Sequence, residues 1–154
     1  MTLPLANYDY KYFCGVSYPD RSLDHDLRRI RKSWEQAQSD RRRDAIYDYL
    51  TAVYEIVQAW GVERLAMDRA QRALKLSGLF ASDQPVPIAA VIAASMSPGK
   101  LDRRLVSKYS RALRLAAACE CRAKKLERFI KDRGGLNHCA GRFSRRLGRQ
   151  SKKS

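Results

Sequence analysis

Four residues in the last third of the chain are of metal-ligand type: Cys119, Cys121, His138 and Cys139. Three thiolates and one imidazole would suit zinc by donor chemistry. Their spacing does not, because zinc pairs normally leave two to four residues between ligands. If the segment is helical, Cys119 and Cys121 also point about 200° apart. Small buried hydrophobes are the expected role of these thiols. With Cys14 they fit free thiols in a reducing compartment better than a disulfide scaffold. No metal is expected.

Other chemistry is equally thin. His25 has no serine or acid in a triad-like context, and Asp24 with Asp26 reads as acids at a helix start, where they suit the dipole. Gly134-Gly135 lacks the Lys-Ser/Thr of a phosphate loop and follows a helix rather than a strand. Tyr109, beside Lys108 and Arg111, has the neighbours of a DNA-cleaving tyrosine but stands on an apolar helical stripe. No catalytic residue and no cofactor is expected, and the chain reads as non-enzymatic.

What the residues do offer is concentrated positive charge. Residues 97–154 hold 18 Lys or Arg against Asp102, Glu120, Glu127 and Asp132, while the first 96 residues have 13 basic and 12 acidic side chains. Nearly all of the formal net charge of +15 therefore belongs to the second half. Such segregation points to an anionic partner, and a pI near 10.1 is typical of nucleic-acid-binding domains. Arg outnumbers Lys by 21 to 10. Arginine is the better bidentate ligand for phosphates and bases, although a GC-rich genome, as in many bacteria, gives the same bias.

These cations must be positioned by helices. On a wheel, Leu101, Leu105, Val106, Tyr109, Ala112, Leu113, Leu115 and Ala116 fall on one half of the segment Lys100–Ala118. Lys100, Arg103, Arg104, Lys108, Arg111 and Arg114 fall on the other, beside Ser107 and Ser110, with no acid one turn away to offset their repulsion. Residues 122–133 form a second helix, with Ala123, Leu126, Phe129 and Ile130 inward and Lys124, Lys125, Arg128 and Lys131 outward. Gly134 suits a left-handed helix stop. A last helix over residues 136–147, capped by Asn137, turns Ala140 and Phe143 inward and Arg142, Arg145, Arg146 and Arg149 outward. Helix, glycine turn and basic helix is the order of a helix-turn-helix unit. The match is partial, since Arg133 and Gly135 stand where an apolar residue would lock the turn. The alternative is a plain helical hairpin with a solvated basic face.

The first half supplies the body. Tyr8, Tyr10, Tyr12 and Phe13 mark residues 1–22 as an aromatic arm that packs on it. Residues 23–78 form a neutral helical body: a helix from Leu23 to Gln38 capped by Ser22, a central apolar helix from Arg41 to Trp60 capped by Ser39-Asp40 and broken by Gly61, and a helix from Val62 to Leu76 ended by Ser77-Gly78. Residues 79–99 form a linker with a short apolar helix that starts at Pro87. Residues 100–147 are the basic helical region and 148–154 a disordered basic tail. The fold expectation is all-α, a compact bundle of about six helices. The longest apolar stretch, Val86 to Ala94, is too short to span a bilayer. No secretory signal opens the chain, so the cytoplasm is the expected location and no membrane partner is expected.

The expected partner is a nucleic acid, probed by Lys100, Arg103, Arg104, Lys108, Arg111, Arg114, Lys124, Lys125, Arg128, Lys131, Arg142, Arg145, Arg146 and Arg149. Duplex DNA is favoured over RNA, because the aromatic-plus-basic sheet of common RNA binders is missing. A regulatory or accessory role in a DNA transaction follows, with residues 23–78 as the surface for a homodimer. The competing expectation is an adaptor or inhibitor that docks an acidic protein through the same basic face.

Overall fold

The computed structural model describes residues 21–96 and 100–153. The arm, apart from its last two residues, and Cys14 lie outside them. Among the described residues all regular structure is helical: α1 (Arg21–Ser39), α2 (Ala45–Val62), α3 (Ala66–Leu76), α4 (Pro87–Ser95), α5 (Arg103–Ala118), a 3-10 turn (Ala123–Lys125), α6 (Leu126–Asp132) and α7 (Leu136–Lys153). The all-α expectation holds.

The core is built around α2. Tyr47, Tyr49, Leu50, Ala52, Val53, Tyr54, Ile56 and Trp60 are buried on it. Neighbours on several sides explain the width of this surface: α1, α3, α4, α5, α6 and the 3-10 turn all touch α2. α1 contributes Leu23, Leu27 and Ile30, one turn apart, and its Trp34 ring lies 5.0 Å from that of Tyr49. Each such large apolar side chain contributes about 1.5–3 kcal/mol on full burial. Trp60 also donates to an Asp26 carboxylate oxygen at 2.9 Å, so Asp26 satisfies a buried indole; with α1 starting at Arg21, Asp24 is in the first turn and Asp26 lies beyond it.

Several boundaries differ from those read in the sequence. Ser22 sits inside α1 rather than capping it. Residues 41–44 are not helical, because Asp40 accepts the Arg42 backbone N–H at 2.8 Å and holds a turn there, and α2 starts only at Ala45. Gly61 continues α2 instead of breaking it. The chain reverses at Arg64, which takes a left-handed φ of 60° while the Leu65 N–H reaches back to Trp60 O at 2.9 Å. That is the Schellman pattern. It recurs at Gly78, at Glu120 (φ 55°) and at Gly134, where the N–H of the following residue bonds Leu74 O, Ala116 O and Ile130 O respectively.

The second half packs onto the body through α4 and α5. α4 opens with Pro87 in its first turn, as expected, and buries Ile88, Val91 and Ile92. α5 starts at Asp102, whose carboxylate accepts the backbone N–H groups of Arg104 and Leu105 at 3.0 and 3.2 Å. It buries Tyr109, Ala112, Leu113, Leu115 and Ala116. Ser110, expected beside the cations, is buried with them. Tyr54 of α2 donates to Cys121 O at 2.6 Å, which fastens the loop after α5 to the body.

Candidate nucleic-acid interface

α7 owes its placement to an apolar strip. Cys139 and Ala140 are buried, and so is Phe143 one turn further on. They seat the helix mainly along α5, which it touches more extensively than it touches α6. The pair runs antiparallel: Arg114 lies over Phe143, Arg111 bonds Ser144, and Leu147 reaches the level of Val106 and Leu101. The expected Gly134-Gly135 turn is present, with φ of 93° and 103°. Asn137 does not cap the helix; it lies in its first turn, and Cys139 N–H bonds Gly135 O at 3.0 Å. The helix also runs past Leu147, so residues 148–153, read as tail, continue it to Lys153.

The missing apolar lock of the turn has a substitute. The Arg133 guanidinium lies 3.6 Å from the centroid of Phe129 and donates to Phe129 O at 3.4 Å. A cation over an aromatic face contributes about 0.5–2 kcal/mol, more as water is excluded. Arg133 was not among the candidates, since in sequence it looked like a defect in the turn.

With α7 so placed, its outward arginines gather. Arg142, Arg145, Arg146 and Arg149 are exposed. Together with Arg133, Leu115 and Cys119 they line an open cleft of about 480 Å³. No carboxylate lines this cleft. Among the described residues no acid pairs with any of the four α7 arginines, whereas ion pairs are common elsewhere in the fold.

The remaining candidates separate into four groups. Arg103, Arg111 and Arg114 lie on the other side of α7, along its seam with α5. Arg111 is held there by Ser144 Oγ at 2.6 Å and Ser107 O at 3.3 Å. Lys100 and Arg104 are exposed near the start of α5, and Lys108 lies 5.5 Å from the Tyr109 ring. Lys124 and Lys125 are exposed on the 3-10 turn. Arg128 and Lys131 have partners within the protein: Arg128 is 3.8 Å from Asp132, and Lys131 is 3.0 Å from both Asp44 and Glu127 and 5.2 Å from the Tyr47 ring. Hydrogen bonds to those two carboxylates hold the Lys131 ammonium above its usual pKa. Its charge thus ties α6 to the start of α2.

The cysteines do not share one environment. Cys139 is buried and donates weakly to Ile130 O at 3.9 Å, and burial raises its pKa so that it stays a thiol. Cys121 is half-buried, and burial is likewise the main cause that raises it. Cys119 is exposed at the arginine cleft, which corrects the expectation of a buried residue. Among the described residues no three Cys, His, Asp or Glu side chains group as a metal site, and no helix is long and apolar enough to cross a membrane.

No known family model, curated protein or solved structure matches the chain.

Proposed function

We propose that this is a small, non-enzymatic nucleic-acid-binding protein of the cytoplasm that engages duplex DNA through the arginine cleft of α7, in a regulatory or accessory role. The observation that carries this reading is the convergence of Arg133, Arg142, Arg145, Arg146 and Arg149 with no acid among them. Folding has placed like charges together, at a cost that bound phosphates would remove. Guanidiniums suit phosphate oxygens in pairs, because their N–H groups form a fixed fork. Arg104 and Lys108 extend the field along α5. Contacts of this kind position a duplex without reading its sequence.

A labelled DNA duplex titrated at several salt concentrations tests the reading. With about five phosphates neutralised, log K against log salt has a slope near −4.5. No binding even at low salt would overturn the proposal. Tighter binding to an RNA duplex or a single strand in parallel titrations would move it from DNA to RNA.

A further inference from the structure

The side of α7 facing away from the cleft has different chemistry. Leu147, 39% exposed, helps line a groove of about 370 Å³. Its floor comes from three elements: Val86, Ala89 and Ala93 at α4, Leu101 and Val106 at α5, and Leu147 itself. Ala89 and Ala93 lie one helical turn apart, and side chains this small leave a trough that a larger apolar side chain can enter. Val86, 37% exposed, belongs to the same strip.

One wall of this groove is cationic. It consists of Arg103, Arg111 and Arg114. Two of these guanidiniums are already fixed. Arg111 bonds Ser144 Oγ and Ser107 O, and Arg114 lies 4.7 Å from the Phe143 centroid. Binding to them forfeits little side-chain entropy. No acid lines the groove.

The two kinds of anionic partner differ here. A nucleic acid has phosphates for the wall but offers its grooves and sugars, not a row of aliphatic groups, to the floor. An acidic amphipathic helix has both: an apolar stripe at i, i+3 or i+4 and i+7 for the floor, and carboxylates on its flank for the three guanidiniums. Arg103 to Arg114 spans about 17 Å along α5, which fits about three turns of a guest helix. We propose that this groove is a docking site for an acidic amphipathic helix of a partner protein. The inference stands independently of the nucleic-acid reading, and with both sites occupied the chain would join an acidic protein to a nucleic acid on opposite sides of α7.

The test uses the full chain and a labelled synthetic peptide of about 16 residues, with leucines on one helical stripe and glutamates on its flanks. A second peptide has the same composition with the leucines scattered round the wheel. Binding is read by fluorescence anisotropy, and folding of each variant by circular dichroism. The expected result is about tenfold tighter binding of the patterned peptide. Leu147→Asp, at an exposed position, and Ala93→Trp, which fills the trough, should each weaken it about fivefold or more, while Arg145→Glu in the cleft has less effect. Equal affinity for both peptides would reduce the groove to its charge and overturn the proposal. So would no saturation by about 1 mM. Binding that appears only after removal of residues 1–20 would assign the groove to the chain's own N-terminal segment and also overturn it.

Discussion

Several cations in the first half of the chain meet carboxylates; among the described residues, Arg142, Arg145, Arg146 and Arg149 of α7 do not. Arg28 lies 2.9 Å from Asp24, Arg42 is 2.9 Å from Asp40 and 3.6 Å from Asp48, and Arg69, itself buried, is 3.2 Å from Glu63. Arg31 donates to Ser77 Oγ at 2.9 Å and to Ala94 O at 3.3 Å, linking α1 to the end of α3 and to α4. Positive charge there is used inside the fold, mostly in exposed pairs that contribute about 0–1 kcal/mol each. On α7 the same residue type converges on itself. The difference separates arginine paired within the fold from arginine left facing solvent beside its own kind.

The sharpest way to break this comparison is charge reversal on each side. Arg142→Glu with Arg145→Glu and Arg146→Glu should lower duplex affinity by about a hundredfold or more at moderate salt, with helicity by circular dichroism retained. Arg28→Glu with Arg29→Glu should change it by less than about twofold. Equal losses would dissolve the distinction. Single Arg→Ala changes in the cleft should each make the salt slope shallower by about 0.9, read from titrations at four or more salt concentrations.

The seam between the halves comes next. Tyr54→Phe leaves Cys121 O without its donor and should cost about 1–3 kcal/mol in urea unfolding. If the halves are one cooperative unit, a single transition shifts as a whole. A separate early transition for the basic half would show that the two regions fold independently.

Alkaline pH probes the same seam. Burial pushes the Tyr54 phenol up to about 12 and the Tyr49 phenol higher still. Folded-state pKa values above the ordinary value near 10 mean that the unfolded chain gives up these protons first. The stability they provide is complete below about pH 10 and falls as pH rises towards 12. The raised Lys131 acts in the same direction. Thermal melts from pH 9 to 12 should show Tm falling through this window, less steeply in Tyr54→Phe.

The smallest expected effect concerns the two helix stops made without glycine. A left-handed non-glycine residue costs about 1–2 kcal/mol, partly offset by the greater entropy glycine has when unfolded. Arg64→Gly and Glu120→Gly should each raise stability by up to about 1 kcal/mol, measured by urea unfolding, with no change in duplex affinity.

Much of this architecture was legible because helical periodicity and segregated charge are properties of short windows. The stripes of α1, α2, α5 and α7 needed nothing distant, and the outward set Arg142, Arg145, Arg146 and Arg149 could be placed from Phe143 alone. Gly78 and Gly134 announced their stops. Arg64 and Glu120 did not, since their conformation is imposed by packing on both sides of the turn. Which cations are already taken was also hidden. Lys131 finds Asp44, 87 residues away, and no local window shows that. Arg133 was missed although its partner, Phe129, is only four residues away, because a cation where the turn wants an apolar lock reads as a defect until its place over that ring is seen. The exposure of Cys119 follows from α5 ending at Ala118, one residue before it.

α4 has a consequence for how the chain is made. Its apolar surface is shared among α1, α2, α3 and, on the remaining side, α5. Synthesis proceeds from the N-terminus, so Ile88, Val91 and Ile92 emerge before Leu113 and its neighbours exist to cover them. Residues 1–96, with 13 basic and 12 acidic side chains, are nearly neutral and add little repulsion to keep copies apart. The residues that arrive next both complete the cover and bring the charge. During its own birth the protein is thus made less adhesive by the segment that afterwards faces outward, and chaperone demand should be greatest in the short interval before that segment leaves the ribosome.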